Sequence, residues 1–228
     1  MKEPSELKGK SFSLRIREVT QYQLDILKRS RREHVKVDQG HWEEVDDEGS
    51  IENQGAAPCL IIYAKNIHTD STISGHFGMV DRDKIRNSTK KWVQTVENSY
   101  HVDDKADTLT LPTPEQIRQL NITAYDSGHE RYLKMLERLS EWIEANGSEN
   151  IEIYLFGQNF PISDSLEEDK KVSRMTEIIK EHHGVISQLN EIGIPSAKIV
   201  DTRKLGIDRT EDTFYIPENK TIYHSIRD

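Results

Sequence analysis

The chain reads as a single α+β domain, with amphipathic helices packed on a largely buried mixed sheet. Three observations predict this. Ile outnumbers Leu, 24 to 15, and β-branched side chains suit a pleated surface. Short apolar runs of strand length recur at 59–64, 151–156 and 213–216. Between them lie two long segments whose apolar residues return every three or four positions, the period of a helix with one buried face.

The elements follow in order. Phe12, Leu14 and Ile16 alternate with charged residues through 11–19, a half-exposed strand. Thr20 is placed to cap a helix running to about Glu33, with Tyr22, Ile26 and Leu27 on its inner face. From Gly40 to Gly55 the composition is acidic and turn-rich, which predicts a surface loop. Residues 56–64 form the most apolar stretch and predict a strand buried on both faces. A second strand over 71–80 completes a β-hairpin with it. Residues 81–128, polar and carrying Pro112 and Pro114, predict an insertion that is partly loop, with a short helix at 114–120. A clear helix occupies 129–145, with Tyr132, Met135, Leu136, Leu139, Trp142 and Ile143 on one face and a stop at Asn146-Gly147. A strand at 151–156 and an acidic loop at 161–171 follow. The helix at 172–192 carries Met175, Ile178, Ile179, Ile186 and Leu189, and Gly193 and Pro195 close it. On it, His182-His183 reads as an exposed feature. A short strand at 198–200 and two strands around the Pro217-Glu-Asn-Lys220 turn complete the chain. The domain organisation is a polar N-terminal extension, 1–50, packing on a core of 51–228 that contains the insertion.

Composition excludes several function classes. With 31 Lys+Arg against 40 Asp+Glu, a net charge of −9 argues against a nucleic-acid partner, since phosphate binding needs clustered cations. No apolar run approaches the ~18–20 residues that span a bilayer, so no integral membrane insertion is expected. Met1–Lys8 lacks the apolar core of a Sec signal, so the expected location is the cytoplasm, or a host cell reached by a non-Sec route. One Cys excludes an internal disulfide and any multi-Cys zinc site, and no cofactor is expected.

That Cys59 is the candidate for chemistry. It opens the buried strand, and His76 lies 17 residues on, across the predicted hairpin. A thiol beside an imidazole is the pair that nucleophilic thiol chemistry uses, because the imidazole takes the proton and stabilises the thiolate. Gly75 and Gly78 beside the His would let a substrate chain approach closely. The competing reading is a small core hydrophobe.

The segment Asn53-Gln-Gly-Ala-Ala-Pro-Cys-Leu-Ile-Ile-Tyr63, followed by Ser74-Gly-His-Phe-Gly-Met79, resembles the active-site region of the CheD chemoreceptor glutamine deamidases. The similarity continues through the helix at 129–145, Leu155-Phe-Gly157 where that family has Phe-Gly-Gly, Leu189–Pro195, Lys198–Asp201 and the closing hairpin 212–224. It covers roughly 51–80 and 129–225. The resemblance implies a CheD-like domain. It also implies a Cys/His amidohydrolase that converts a Gln side chain of a protein partner through a Cys59 thioester, with His76 as base. Bacterial toxin deamidases share this logic, so an effector acting on a host protein falls under the same expectation.

The departures are specific. The family's third catalytic residue is a Thr six positions before the Cys, where Asn53 stands; an Asn can orient an imidazole. Ala57-Pro58 replaces Gly-Ser, and Pro58 has no N–H for an oxyanion. Gln54 and Gln158 are candidate oxyanion or substrate-binding amides, with Gly75 as a point of substrate approach. Two alternatives stand beside the deamidase. One is a non-catalytic module that keeps the fold. The other is a zinc-dependent hydrolase like the YfiH family, which also places Cys and His 17 apart; His34, His41 and His68 would be its further ligand candidates.

Overall fold

The computed structural model describes residues 12–31, 34–55, 59–78, 114–158, 167–203 and 210–227. In chain order the elements are β1 (Arg15–Glu18), α1 (Gln21–Ser30), β2 (Val35–Val37), β3 (Trp42–Val45), β4 (Ile51–Asn53), β5 (Leu60–Asn66) and β6 (Thr72–Phe77). Then come α2 (Pro114–Asn146), β7 (Ile151–Gly157), α3 (Glu168–Glu191), β8 (Ile199–Asp201), β9 (Thr210–Ile216) and β10 (Thr221–Arg227). The α+β class is as expected, but the strands form two sheets rather than one. The first has the order β1-β10-β9-β4-β2, the second β3-β6-β5-β7-β8. Both mix parallel and antiparallel pairs.

Strand alternation explains the layering. Every residue of β5 is buried, and its two faces feed different cores. Leu60, Ile62 and Ala64 pack with Leu139 and Ile143 of α2 and with Val185 and Leu189 of α3. Cys59, Ile61 and Tyr63 point the other way, onto Ile51, Tyr215 and Ile222 of the first sheet. The outer face of that sheet presents Phe214, Ile216 and Tyr223 to Leu24 of α1. Burying each such side chain contributes roughly 1.5–3 kcal/mol, so a strand buried on both sides ties the two cores together. The division into two sheets could not be read from the apolar runs alone, because β2, β3 and β4 are short and mix apolar with polar residues.

Residues 40–55 are not a loop. Trp42 enters the helix-side core and Val45 the core between the sheets, while Glu43 and Glu44 lie along an edge strand, where charge blocks further pairing. The Trp42 indole donates to the Met135 carbonyl at 2.9 Å, and Glu44 accepts the Trp142 indole N–H at 2.8 Å. The described part of the first fifty residues thus supplies strands to both sheets.

α1 starts where expected, in a reciprocal cap: Thr20 Oγ1 accepts the Gln23 N–H at 3.2 Å and Gln23 Oε1 accepts the Thr20 N–H at 3.0 Å. Its inner face is different from the expected one. Tyr22 and Ile26 are exposed, whereas Leu24 and Lys28 are buried. Lys28 turns inward because Glu52 lies beneath it, 2.7 Å away. Burial pushes the Glu52 carboxyl up, but the bonds from Lys28, Gln54 and His34 outweigh it and hold the group below its ordinary range.

α2 is one continuous helix over the expected pieces 114–120 and 129–145; residues 81–113 of the expected insertion lie outside the described residues. On α3 the buried stripe is Ile178, His182, Val185 and Leu189, while Met175 and Ile179 are exposed. His182 is therefore not the surface feature the sequence suggested, whereas its neighbour His183 is exposed. Among the described residues no helix is long and apolar enough to cross a membrane.

Candidate functional site

Six residues, 54–59, connect β4 to β5, so the start of β5 lies at the end of the sandwich where β4 stops. β6 and β7 run antiparallel to β5 and both finish at that end. Register places Ile61 opposite His76 and opposite Phe156. His76 therefore shares the inner face of Ile61, and of Cys59 two residues earlier, as a diagonal neighbour within side-chain reach. The ladder extends through Cys59, whose carbonyl accepts the Gln158 N–H at 2.7 Å. Cys59 is 2% and His76 4% exposed. The expected thiol and imidazole thus occupy one face, at one end, between the two sheets.

Asn53 faces them from β4 of the opposite sheet. Its Nδ2 donates to the Tyr63 hydroxyl at 2.9 Å and to Ser74 Oγ at 3.1 Å. Tyr63, having accepted from Asn53, donates to Thr213 Oγ1 at 2.7 Å, and Ser74 donates to the Ile62 carbonyl at 3.2 Å. The amide that was to orient His76 is instead the hub of a polar lock beside it, and no Asn53–His76 hydrogen bond is present. Burial pushes the Tyr63 phenol far up, against the pull of Thr213, Asn53 and Ser74.

Two other expected residues face elsewhere. The Gln54 amide donates to Glu52 Oε1, on the α1 side of the first sheet. Gly75 points to the helix side, where a Cβ would lie 2.6 Å from the Trp42 ring; the indole, not a substrate, fills that space. Gly78 is similarly closed by the Gln39 side chain.

Gln158 sits beside Cys59 in a left-handed conformation, φ +47°. Its Oε1 accepts from Arg203 Nη1 at 2.5 Å, and its carbonyl meets His182 Nε2 at 3.2 Å. Arg203 is held in turn by both oxygens of Asp201 and by the His182 carbonyl. Because a guanidinium only donates, it fixes the orientation of the amide. Burial, then the Arg203 charge, hold the His182 imidazole below its ordinary value.

The sequence reading missed one pair altogether. Glu211 Oε1 accepts from His224 Nδ1 at 2.6 Å, and Glu211 Oε2 accepts the Gly157 N–H at 2.8 Å. An apolar alternation beginning at Thr213 excludes Glu211, since a charged residue reads as surface. The strand in fact begins at Thr210, and extending the alternation by one step was the available signal.

Of the three further histidine candidates, His41 precedes β3 and its carbonyl accepts the His76 N–H at 3.2 Å, while the other two lie apart from the thiol. His34 bonds Glu52 at 2.8 Å on the α1 side, and His68 lies in the β5–β6 turn at the far end. Among the described residues no three His, Cys, Asp or Glu side chains are grouped to hold a metal ion. No protein-family model matches the chain, and no curated protein matches it.

Proposed function

We propose that the chain is a cysteine-dependent protein glutamine deamidase. The observation that carries this reading is the register that sets Cys59 and His76 on one inner face of adjacent strands, at the end where β5 begins. The resemblance of 53–79 to the CheD active-site region supports the same assignment.

In this reading the Cys59 thiol gives its proton to His76 and the sulfur attacks the side-chain amide carbon of a Gln. The C–N bond then breaks, ammonia leaves with the proton returned by His76, and a thioester remains. Water hydrolyses it: a C–O bond forms, the C–S bond breaks, and the water proton goes back to sulfur. The Cys59 N–H is a donor for the oxyanion, since Pro58 offers none. The substrate is a protein bearing an accessible Gln, and the reading includes a bacterial effector acting on a host protein.

The test is alkylation of the intact protein by iodoacetamide from pH 5 to 9, followed by ammonia release from Gln-containing proteins. A thiolate made by His76 reacts well below pH 8, and His76→Ala abolishes that low-pH reaction. Cys59 that stays inert until the protein unfolds would sink the enzyme reading and leave a non-catalytic module of the same fold.

A further inference from the structure

We propose that His224, held by Glu211, is a second acid–base histidine of the Cys59 site and serves the hydrolytic half of the reaction. This rests on the deamidase reading. Thr213 of β9 sits over Tyr63 of β5, joined by the 2.7 Å hydroxyl bond. From that point both strands reach the same end of the sandwich, β5 through Ile61 to Cys59 and β9 to Glu211. The Glu211 carboxylate bonds the Gly157 N–H; Gly157 is paired with Leu60, and the next N–H, that of Gln158, bonds the Cys59 carbonyl. His224 lies opposite Thr213 on β10, and its ring packs on Phe156, the centroids 5.7 Å apart. Phe156 and Cys59 belong to one cluster on one face. A carbonyl held at Cys59 therefore has His76 on its own sheet and His224 on the facing one.

The chemistry of the pair is specific. Glu211 is 3% and His224 6% exposed, so the carboxylate cannot turn to water. With one oxygen on the Gly157 N–H, the other must accept from Nδ1, which fixes the tautomer and leaves Nε2 to exchange protons. An imidazole oriented by a carboxylate is the arrangement of a general base. As the C–O bond to water forms at the thioester, the water proton moves to His224 Nε2; as the C–S bond breaks, it passes to the Cys59 sulfur. Glu211 is a positioning residue.

The probe is p-nitrophenyl acetate, which acylates a reactive thiol and releases nitrophenolate. In the wild type a burst, then turnover, is expected. His224→Gln and Glu211→Gln should keep the burst and slow turnover by ~10²–10⁴, with acetyl-Cys59 accumulating by intact mass. Glu211→Gln is nearly isosteric and keeps an acceptor for Gly157, but its amide turns the His224 tautomer round, so it tests the base role even where His224→Gln folds poorly. A mere clamp between the sheets predicts a lower melting temperature with no accumulated thioester, and that result overturns the proposal. Absence of any burst in the folded wild type overturns the deamidase reading itself; a wild-type burst with unaltered turnover in both variants overturns only this one.

Discussion

Tyr63→Phe removes one oxygen from the middle of the polar lock that joins β4 and β9 to β5 and β6. Tyr63 is fully buried, and its hydroxyl accepts from Asn53 and donates to Thr213. In the variant Asn53 keeps Ser74, but the fully buried Thr213 hydroxyl loses its partner. Two net hydrogen bonds at about 1 kcal/mol each, plus partial desolvation of what is left unpaired, give roughly 2–3 kcal/mol. For a chain of this size that lowers Tm by about 4–12 °C. The assay is urea unfolding of the wild type, Tyr63→Phe, Thr213→Val and the double variant. Thr213→Val alone strands the Tyr63 proton, whereas in the double variant neither side of that bond is stranded. The two losses should then fall short of additivity by about 1 kcal/mol. A Tyr63→Phe loss under about 0.5 kcal/mol, or additivity within the usual ~0.3–0.5 kcal/mol, would refute the idea that this contact holds the sheets in register.

Three further outcomes are expected. His182 is held below its ordinary value of 6.5, so the folded state resists its protonation. Its stabilising contribution is present above about 6.5 and fades as pH falls through the lower folded value. The urea midpoint should drop from pH 7 towards pH 5, and His182→Gln should flatten that slope. Gly75→Ala drives a methyl into the Trp42 ring and should lower stability by about 1–3 kcal/mol, with a shift in Trp fluorescence on urea titration. Leu24→Ala should lower stability by about 2–5 kcal/mol and Ile26→Ala by under about 0.5 kcal/mol in thermal melts; equal losses would show that α1 packs by the face its apolar residues suggest.

The comparison of Leu24 with Ile26 shows where sequence reading works and where it stops. β5, β6, β7, the α2 stripe and the cap of α1 follow from apolar period and local hydrogen bonding, which are properties of a few neighbouring residues. The inner face of α1 depends on Glu52, 24 positions after Lys28, which buries a lysine in preference to an isoleucine. β3 was hidden because an edge strand keeps its charge. The same limit applies at the site. Cys59 and His76 were legible because both lie on one hairpin. Glu211 and His224 were not, since such side chains become interior only when a partner on another strand pairs with them, and Arg203 was not because, beyond Asp201 two positions away, its buried contacts are with Gln158 and His182. Asn53 and Gln54 lie only six and five positions before the thiol, but strand alternation sends their side chains to opposite faces of the first sheet.

The position of Cys59 on the sheet bears on what a thiol there can do. β5 is paired on both edges and buried on both faces, so it is among the least mobile places in the fold. The buried polar groups at its other end have evident architectural partners: Lys65 meets Asp70 of the adjoining turn, and Glu152 anchors Ser13 and the Tyr154 hydroxyl. At the Cys59 end, two imidazoles and a carboxylate enter an interior that apolar residues would fill at lower desolvation cost. One carboxylate oxygen secures a strand end at Gly157, but that bond needs no imidazole on the other oxygen. Under the proposed deamidase reading, a rigid strand would carry the nucleophile, with proton-transfer groups from the neighbouring strand and the facing sheet, as acyl transfer requires, since it tolerates misplacement of only a fraction of an ångström. On that argument, variants that loosen β5 from its helix-facing side, such as Ile62→Ala, should reduce turnover more steeply than their loss of stability alone accounts for.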